Sequence, residues 1–156
     1  MEKNVILEIN HCISEVELVY KSKMKASLRP IISSSSEAYH IFLGSWEDGK
    51  IELLEQFKAL FLNRANKVLA LLNLSLGGLT GTVADPRLVF IAALRLHACA
   101  VILCHNHPSG NIKPSRTDEE MTQKCKQAGQ FLDIKVLDHL IITEESYFSF
   151  ADEGLL

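Results

Sequence analysis

Cys99-Ala-Val-Ile-Leu-Cys104 runs directly into His105-Asn-His-Pro-Ser-Gly110 and, past Pro114, into Ser115-Arg-Thr-Asp118. An unbroken apolar run of that length is the pattern of a strand covered on both faces in the middle of a sheet. Residues at i and i+2 of a strand share a face, so His105 and His107 can aim their imidazoles at one point while Asn106 faces away. Ser115 has the spacing of a helix N-cap, which puts Asp118 in the first helical turn. The intervening loop can fold that carboxylate back over the strand end. A buried strand, a polar loop and a helix in this order predict an α/β chain whose chemistry sits where the strand stops.

The pattern continues on both sides. Downstream, Met121, Cys125, Ala128 and Leu132 form one helical stripe, and 134–143 and 147–150 read as strands. Upstream, Asp85 can cap and Pro86 can open a helix running to about His97. Gly77-Gly-Leu-Thr-Gly-Thr82 lacks the Gly-Lys-Ser/Thr of a phosphate-binding loop, so it is expected as a turn near the site. Phe57 to Leu62 and Lys67 to Leu74 predict a hairpin joined by Asn63 to Asn66, and Glu47 to Lys50 a turn before it. Ser34 and Glu37 cap a short helix carrying Tyr39, Phe42, Leu43 and Trp46, with Trp46 expected in the core rather than as a base-stacking platform. Val16, Leu18 and Tyr20 alternate as an edge strand, continued by Lys21, Lys23 and Lys25, whose charge discourages pairing with other chains. The expected order is β-α-β-β-α-β-α-β-β: a single mixed sheet flanked by helices, with 1–14 as an extension and 15–156 as one α/β (α+β) domain.

Composition narrows the function. The chain has 156 residues, 47% hydrophobic and 22% charged, as one ordinary globular domain has. Sixteen Lys and Arg against nineteen Asp and Glu leave a net charge of −3, so no basic excess holds a polyanion and any DNA contact must be local. The longest apolar stretches, Val68 to Leu72 and Cys99 to Cys104, fall far short of the roughly 20 residues of a membrane span. With no signal peptide in view, a cytoplasmic location is expected, and Cys12, Cys99, Cys104 and Cys125 are expected as free thiols.

Two histidines and a carboxylate supply two nitrogens and one oxygen, leaving a fourth tetrahedral position on Zn²⁺ for water, the pattern of a catalytic site. Each residue also has a plainer account. Asp118 favours a helix N-terminus by roughly 0.3 to 1 kcal/mol without any metal, and a lone histidine after a strand is usually a polar loop residue. The conjunction favours metal. The spelling His105-Asn106-His107 matches a nuclease family by letters only, and the H-x-E and P-C-x-x-C elements of zinc deaminases are missing.

His105-x-His107, Ser115 and Asp118 at these spacings resemble the JAMM signature of the JAB/MPN metalloprotease superfamily, and His-Asn-His-Pro-Ser-Gly resembles its bacterial RadC branch. Phe61-Leu62-Asn63, Gly81-Thr82, Pro86-Arg87, Asp138-His139-Leu140-Ile141 and Ser149-Phe150 extend the resemblance over most of the chain from about residue 15. It implies a JAB/MPN-like, cytidine-deaminase-like fold and a zinc hydrolase with one Zn²⁺ per chain on His105, His107 and Asp118. It also implies an upstream glutamate as general base, for which Glu55 falls at the matching place and Glu52 is the fallback, and Ser115 as donor to the developing oxyanion. His139 can orient a ligand or simply be a polar residue on a strand face.

The expected activity is that of a metallopeptidase or isopeptidase with a protein or peptide substrate. A DNA-repair role, as nuclease or DNA-binding accessory, is the alternative that the RadC label carries. The helix-hairpin-helix region of full-length RadC proteins is not found in the few residues before the expected first strand, and the net charge does not compensate. A non-catalytic interaction module is the third reading, against which the intact ligand set stands. The sequence leaves the bond cleaved, the metal's identity and the oligomeric state open.

Overall fold

In a computed structural model of the chain, residues 22, 24–76 and 84–156 are described, so the edge strand expected at 16–20 and the Gly77 to Thr82 turn lie outside the described residues. Helix α1 spans Ser35–Leu43, strands β1 and β2 span Gln56–Leu62 and Val68–Leu76, and helix α2 spans Pro86–Arg95. Strand β3 spans Ala100–Asn106, helix α3 Arg116–Phe131, β4 Lys135–Ile142 and β5 Tyr147–Ser149. The five strands form one mixed sheet in the order β2-β1-β3-β4-β5. Only β3 and β4 run parallel, joined by α3 as crossover; β1 pairs antiparallel with β2 and β3, and β5 pairs antiparallel with β4.

Strand β3 is central, and every one of its residues is buried. Its side chains alternate between two cores. Ala100, Ile102 and Cys104 pack with Tyr39 and Phe42 of α1, whereas Val101 and Leu103 pack with Val89, Phe90 and Ala93 of α2 and Cys125 of α3. The molecule is therefore a three-layer α/β/α arrangement, and the strand's lack of polar alternation is the signature of burial on both sides.

The helix ends follow local chemistry. Ser34 caps α1 and Asp85 caps α2, each side chain accepting a hydrogen bond from a first-turn amide, of Glu37 and Arg87 respectively. Helix α2 stops short of the expected His97. His97 takes φ of 53°, and the bonds from its N–H to the Leu94 carbonyl and from the Ala98 N–H to the Ala93 carbonyl form a Schellman closure. Helix α3 closes the same way through Asp133 at φ of 54°, with the Ile134 N–H donating to the Gly129 carbonyl at 2.9 Å. Helix α1 ends at Leu43 with Gly44 as C-cap, so Trp46 reaches the core from the following turn rather than from the helix stripe.

The α1 face buries a lysine. Lys58 of β1 is 1% exposed. Its Nζ donates to the Ser45 carbonyl at 2.9 Å and to the Ser45 hydroxyl at 3.1 Å, and lies 3.7 Å from the Trp46 ring centre. Burial pushes its pKa down, and this ring and the two oxygens stand in for the lost water. The ammonium thus ties the turn after α1 to the sheet.

Candidate metal centre

His105 is the penultimate residue of β3 and projects to the α2/α3 side, 1% exposed. His107 follows just beyond the strand, where its N–H donates to the Ile142 carbonyl at 3.1 Å and so continues the alignment with β4. Gly110, at φ of 79°, turns the chain, and Ser115 then caps α3. The capping box closes in both directions. The Asp118 N–H donates to Ser115 Oγ at 3.2 Å, while Asp118 Oδ2 accepts from the Ser115 N–H at 2.7 Å and from its hydroxyl at 2.6 Å. With Oδ2 held by the cap, Oδ1 is left to face His105.

Three candidate ligand atoms then converge. His105 Nε2 lies 3.1 Å from His107 Nε2 and 3.2 Å from Asp118 Oδ1, and His107 Nε2 lies 3.8 Å from Asp118 Oδ2. Atoms bound at about 2.0–2.1 Å to one tetrahedral ion sit about 3.4 Å apart, so the spacing fits a small divalent cation. The proton positions fit as well. His107 Nδ1 lies 2.5 Å from the Asn111 carbonyl, which can only accept, so Nδ1 carries a hydrogen and the neutral imidazole has its lone pair on Nε2, facing His105. Burial pushes the Asp118 carboxyl up, but the neighbouring His105 and the two bonds from Ser115 outweigh it and hold the group well below the usual carboxylate range. A bare nitrogen, an ionised carboxylate and a buried imidazole edge form an acceptor-rich cluster that a cation completes. Among the described residues, His105, His107 and Asp118 are the group that could hold a metal ion.

Behind His105 the polar contacts continue. Its Nδ1 lies 2.9 Å from His139 Nε2, and His139 Nδ1 lies 2.6 Å from Thr122 Oγ1, which also lies 2.6 Å from the Asp118 carbonyl oxygen. His139 is fully buried between the rings of Phe57 and Phe150, and that burial, with His105 next, holds its pKa well below the histidine range. It therefore stays neutral.

Glu55 lines one pocket with Phe57, His105, Asp118, Met121 and Lys124, whereas Glu52 lines a separate depression with Trp46, Glu47 and Glu144. Glu55 thus shares a pocket with His105 and Asp118, which Glu52 does not line. Asn106, between the two histidines, reaches the opposite side of the sheet. Its Oδ1 accepts from the Gln56 N–H at 2.7 Å, and its Nδ2 donates to the Ile51 and Leu54 carbonyls at 2.5 and 2.9 Å. Both neighbours of Glu55 are therefore fastened to the strand that carries the histidines.

Sequence reasoning missed Thr122, the Asn106 clamp and the buried Lys58. Thr122 had a signal, since it stands one helical turn past Asp118 and must share its face. The Asn106 and Lys58 partners lie in other segments of the chain, which no spacing announces. Cys104 lies on the α1 face, opposite His105, as its place in the alternation predicts.

A three-layer sandwich whose central strand ends in two histidines, opposed by a carboxylate on the next helix's first turn, defines a JAB-type domain. The chain belongs to the RadC-like JAB domain family, whose pattern matches residues 32–155. It is similar to a UPF0758 protein of Flavobacterium johnsoniae, 55% identical over 101 residues that make up 65% of this chain and 44% of the relative. It is also similar to UPF0758 proteins of Trichlorobacter lovleyi, 42% identical over 80% of this chain and 53% of the relative, and of Chlorobaculum parvum, 35% identical over 90% and 62%. The chain thus spans about half the length of the first two. Among the described residues no helix is long and apolar enough to cross a membrane.

Proposed function

We propose that this chain is a zinc-dependent hydrolase of the JAMM type, acting on peptide or isopeptide bonds in a protein or peptide substrate. The observation that carries this reading is the convergence of His105 Nε2, His107 Nε2 and Asp118 on one point, beside a pocket that Glu55 lines together with His105 and Asp118. His105, His107 and Asp118 hold the ion. When bound there, a divalent cation supplies Lewis acidity, which polarises a carbonyl and brings the pKa of a coordinated water to about 7.

The chain's own residues supply the rest. Glu55 is not one of the three ligands, so its carboxylate is free to take a proton from the attacking water and later return it to the departing amine, a role worth roughly 10²–10⁴-fold in rate. Asn106 keeps that carboxylate in register with the ligands by pinning Leu54 and Gln56. Ser115 orients Asp118 through both its amide and its hydroxyl; the amide bond alone can hold Oδ2 when the hydroxyl turns to the oxyanion of the substrate. The half-buried His107 forms the open side of the ligand set, where a substrate can approach, while His105 forms its buried side.

The test pairs metal content with cleavage of a proteome-derived peptide library by the zinc-loaded protein. We expect about one zinc per chain in wild type and in Glu55→Gln, with turnover in wild type only. A wild type that takes up no zinc when it is supplied would overturn the reading. Salt-sensitive retention of oligonucleotides that survives Glu55→Gln, without peptide cleavage, would move the function to DNA.

A further inference from the structure

The hydrogen-bond chain behind His105 has a direction. The Asp118 carbonyl can only accept, so the short contact from Thr122 Oγ1 requires the single hydroxyl proton of Thr122 to point at it. That leaves Thr122 Oγ1 only lone pairs to offer His139, and the 2.6 Å contact then requires a hydrogen on His139 Nδ1. A neutral imidazole with Nδ1–H has a bare Nε2. His139 Nε2 must accept, so His105 Nδ1, 2.9 Å away, must donate. With Nδ1 as the donor, the neutral imidazole of His105 has its lone pair on Nε2, the atom that faces His107 and Asp118.

We propose that Thr122 and His139 are positioning residues that set the tautomer of His105, so that its Nε2 lone pair is directed permanently at the metal position. The inference rests on the proposed metal site and adds two residues, one on α3 and one on β4, that touch neither ion nor substrate. Its origin is a backbone carbonyl, which cannot change its role as an acceptor. Each later group in the chain is a side chain with two possible arrangements, and each is left with one. The carbonyl belongs to Asp118, so the residue that gives the carboxylate ligand also dictates, through three hydrogen bonds, which nitrogen of His105 is the ligand. Packing holds the chain in place: His139 stacks on Phe150, with ring centres 5.0 Å apart, and Phe57 lies parallel to His105 with ring centres 5.8 Å apart.

Two measurements on the full chain test this. Nitrogen NMR of metal-free protein labelled at histidine is expected to show Nδ1–H with bare Nε2 for both His105 and His139 at mildly alkaline pH. A His139 that carries its proton on Nε2 would overturn the proposal. Zinc affinity, read by competition with a chelating dye, is expected to fall roughly 10–100-fold in Thr122→Val and to stay near wild type in Thr122→Ser, which keeps the hydroxyl. Unchanged affinity in Thr122→Val would overturn it. Should Thr122→Val fail to fold in the absence of metal, the tautomers of the wild type decide alone. A wild type with the expected tautomers that binds no zinc would instead overturn the hydrolase reading, and with it the purpose assigned to these residues.

Discussion

Asn106 and His105 occupy adjacent positions on β3 and serve one site from opposite faces of the sheet. His105 presents Nε2 to His107 and Asp118; Asn106 ties down the segment that carries Glu55. Its replacement by alanine strands the Gln56 N–H and the Ile51 and Leu54 carbonyls, and each buried polar group left without a partner costs about 1–3 kcal/mol. Water entering the gap recovers part of that. Asn106→Ala is expected to lower stability by about 2–4 kcal/mol in urea denaturation while His105, on the α2/α3 side of the sheet, keeps its place and zinc uptake continues. A loss no larger than that of an exposed Asn→Ala change would show that the clamp carries little. At this scale the convergence of His105, His107 and Asp118 was legible because strand alternation and helix capping each fix where a side chain points. Asn106 was legible as facing away from its neighbours, but its partners, some 50 positions earlier in the chain, were not.

At the scale of elements, the helix starts could be read closely and the helix ends less so. Ser34, Asp85 and Ser115 cap as their sequences predict, because an N-cap is a side chain acting on amides two or three residues away. The C-terminal closures of α2 and α3 place His97 and Asp133 in the left-handed region, a conformation usually taken by glycine, so nothing in those residues announces the stop. Glycine appears instead inside α3. A Cβ on Gly129 would stand 2.3 Å from the Ile134 carbonyl, which the closure folds back against the helix. Gly129→Ala gains intrinsic helix propensity, yet it is expected to destabilise by about 1–3 kcal/mol, because backbone rather than a flexible side chain must move. A thermal melt that shows stabilisation would mean the closure can open without penalty. Trp46 shows the same limit: its burial was readable from its hydrophobic spacing, whereas the helix end at Gly44 that delivers it from a turn was not.

For the whole molecule, the site depends on the parallel pair of β3 and β4 with α3 crossing between them, since this unit sets Asp118 over the strand end and His139 beside His105. The mixed sheet and its flanking helices were legible from apolar periodicity, but strand order was not, because a continuous apolar strand does not say which neighbours it takes. A ligand that binds only the folded chain stabilises it by about 2.7 kcal/mol at one hundred times its dissociation constant. Zinc at that excess is therefore expected to raise the melting temperature by about 5–10 °C in wild type, and to do nothing measurable in His107→Ala. An equal rise in both would place the ion elsewhere. The rise has a ceiling that the geometry explains. His105, His107 and Asp118 lie within one short stretch of chain, so a denatured molecule keeps a weak chelator of its own, while His139 arrives only when β4 docks. A competing chelator must then pull against a preassembled grip in the native protein and a loose one in the denatured chain, and the difference between those two extractions measures what folding adds to the hold on the metal.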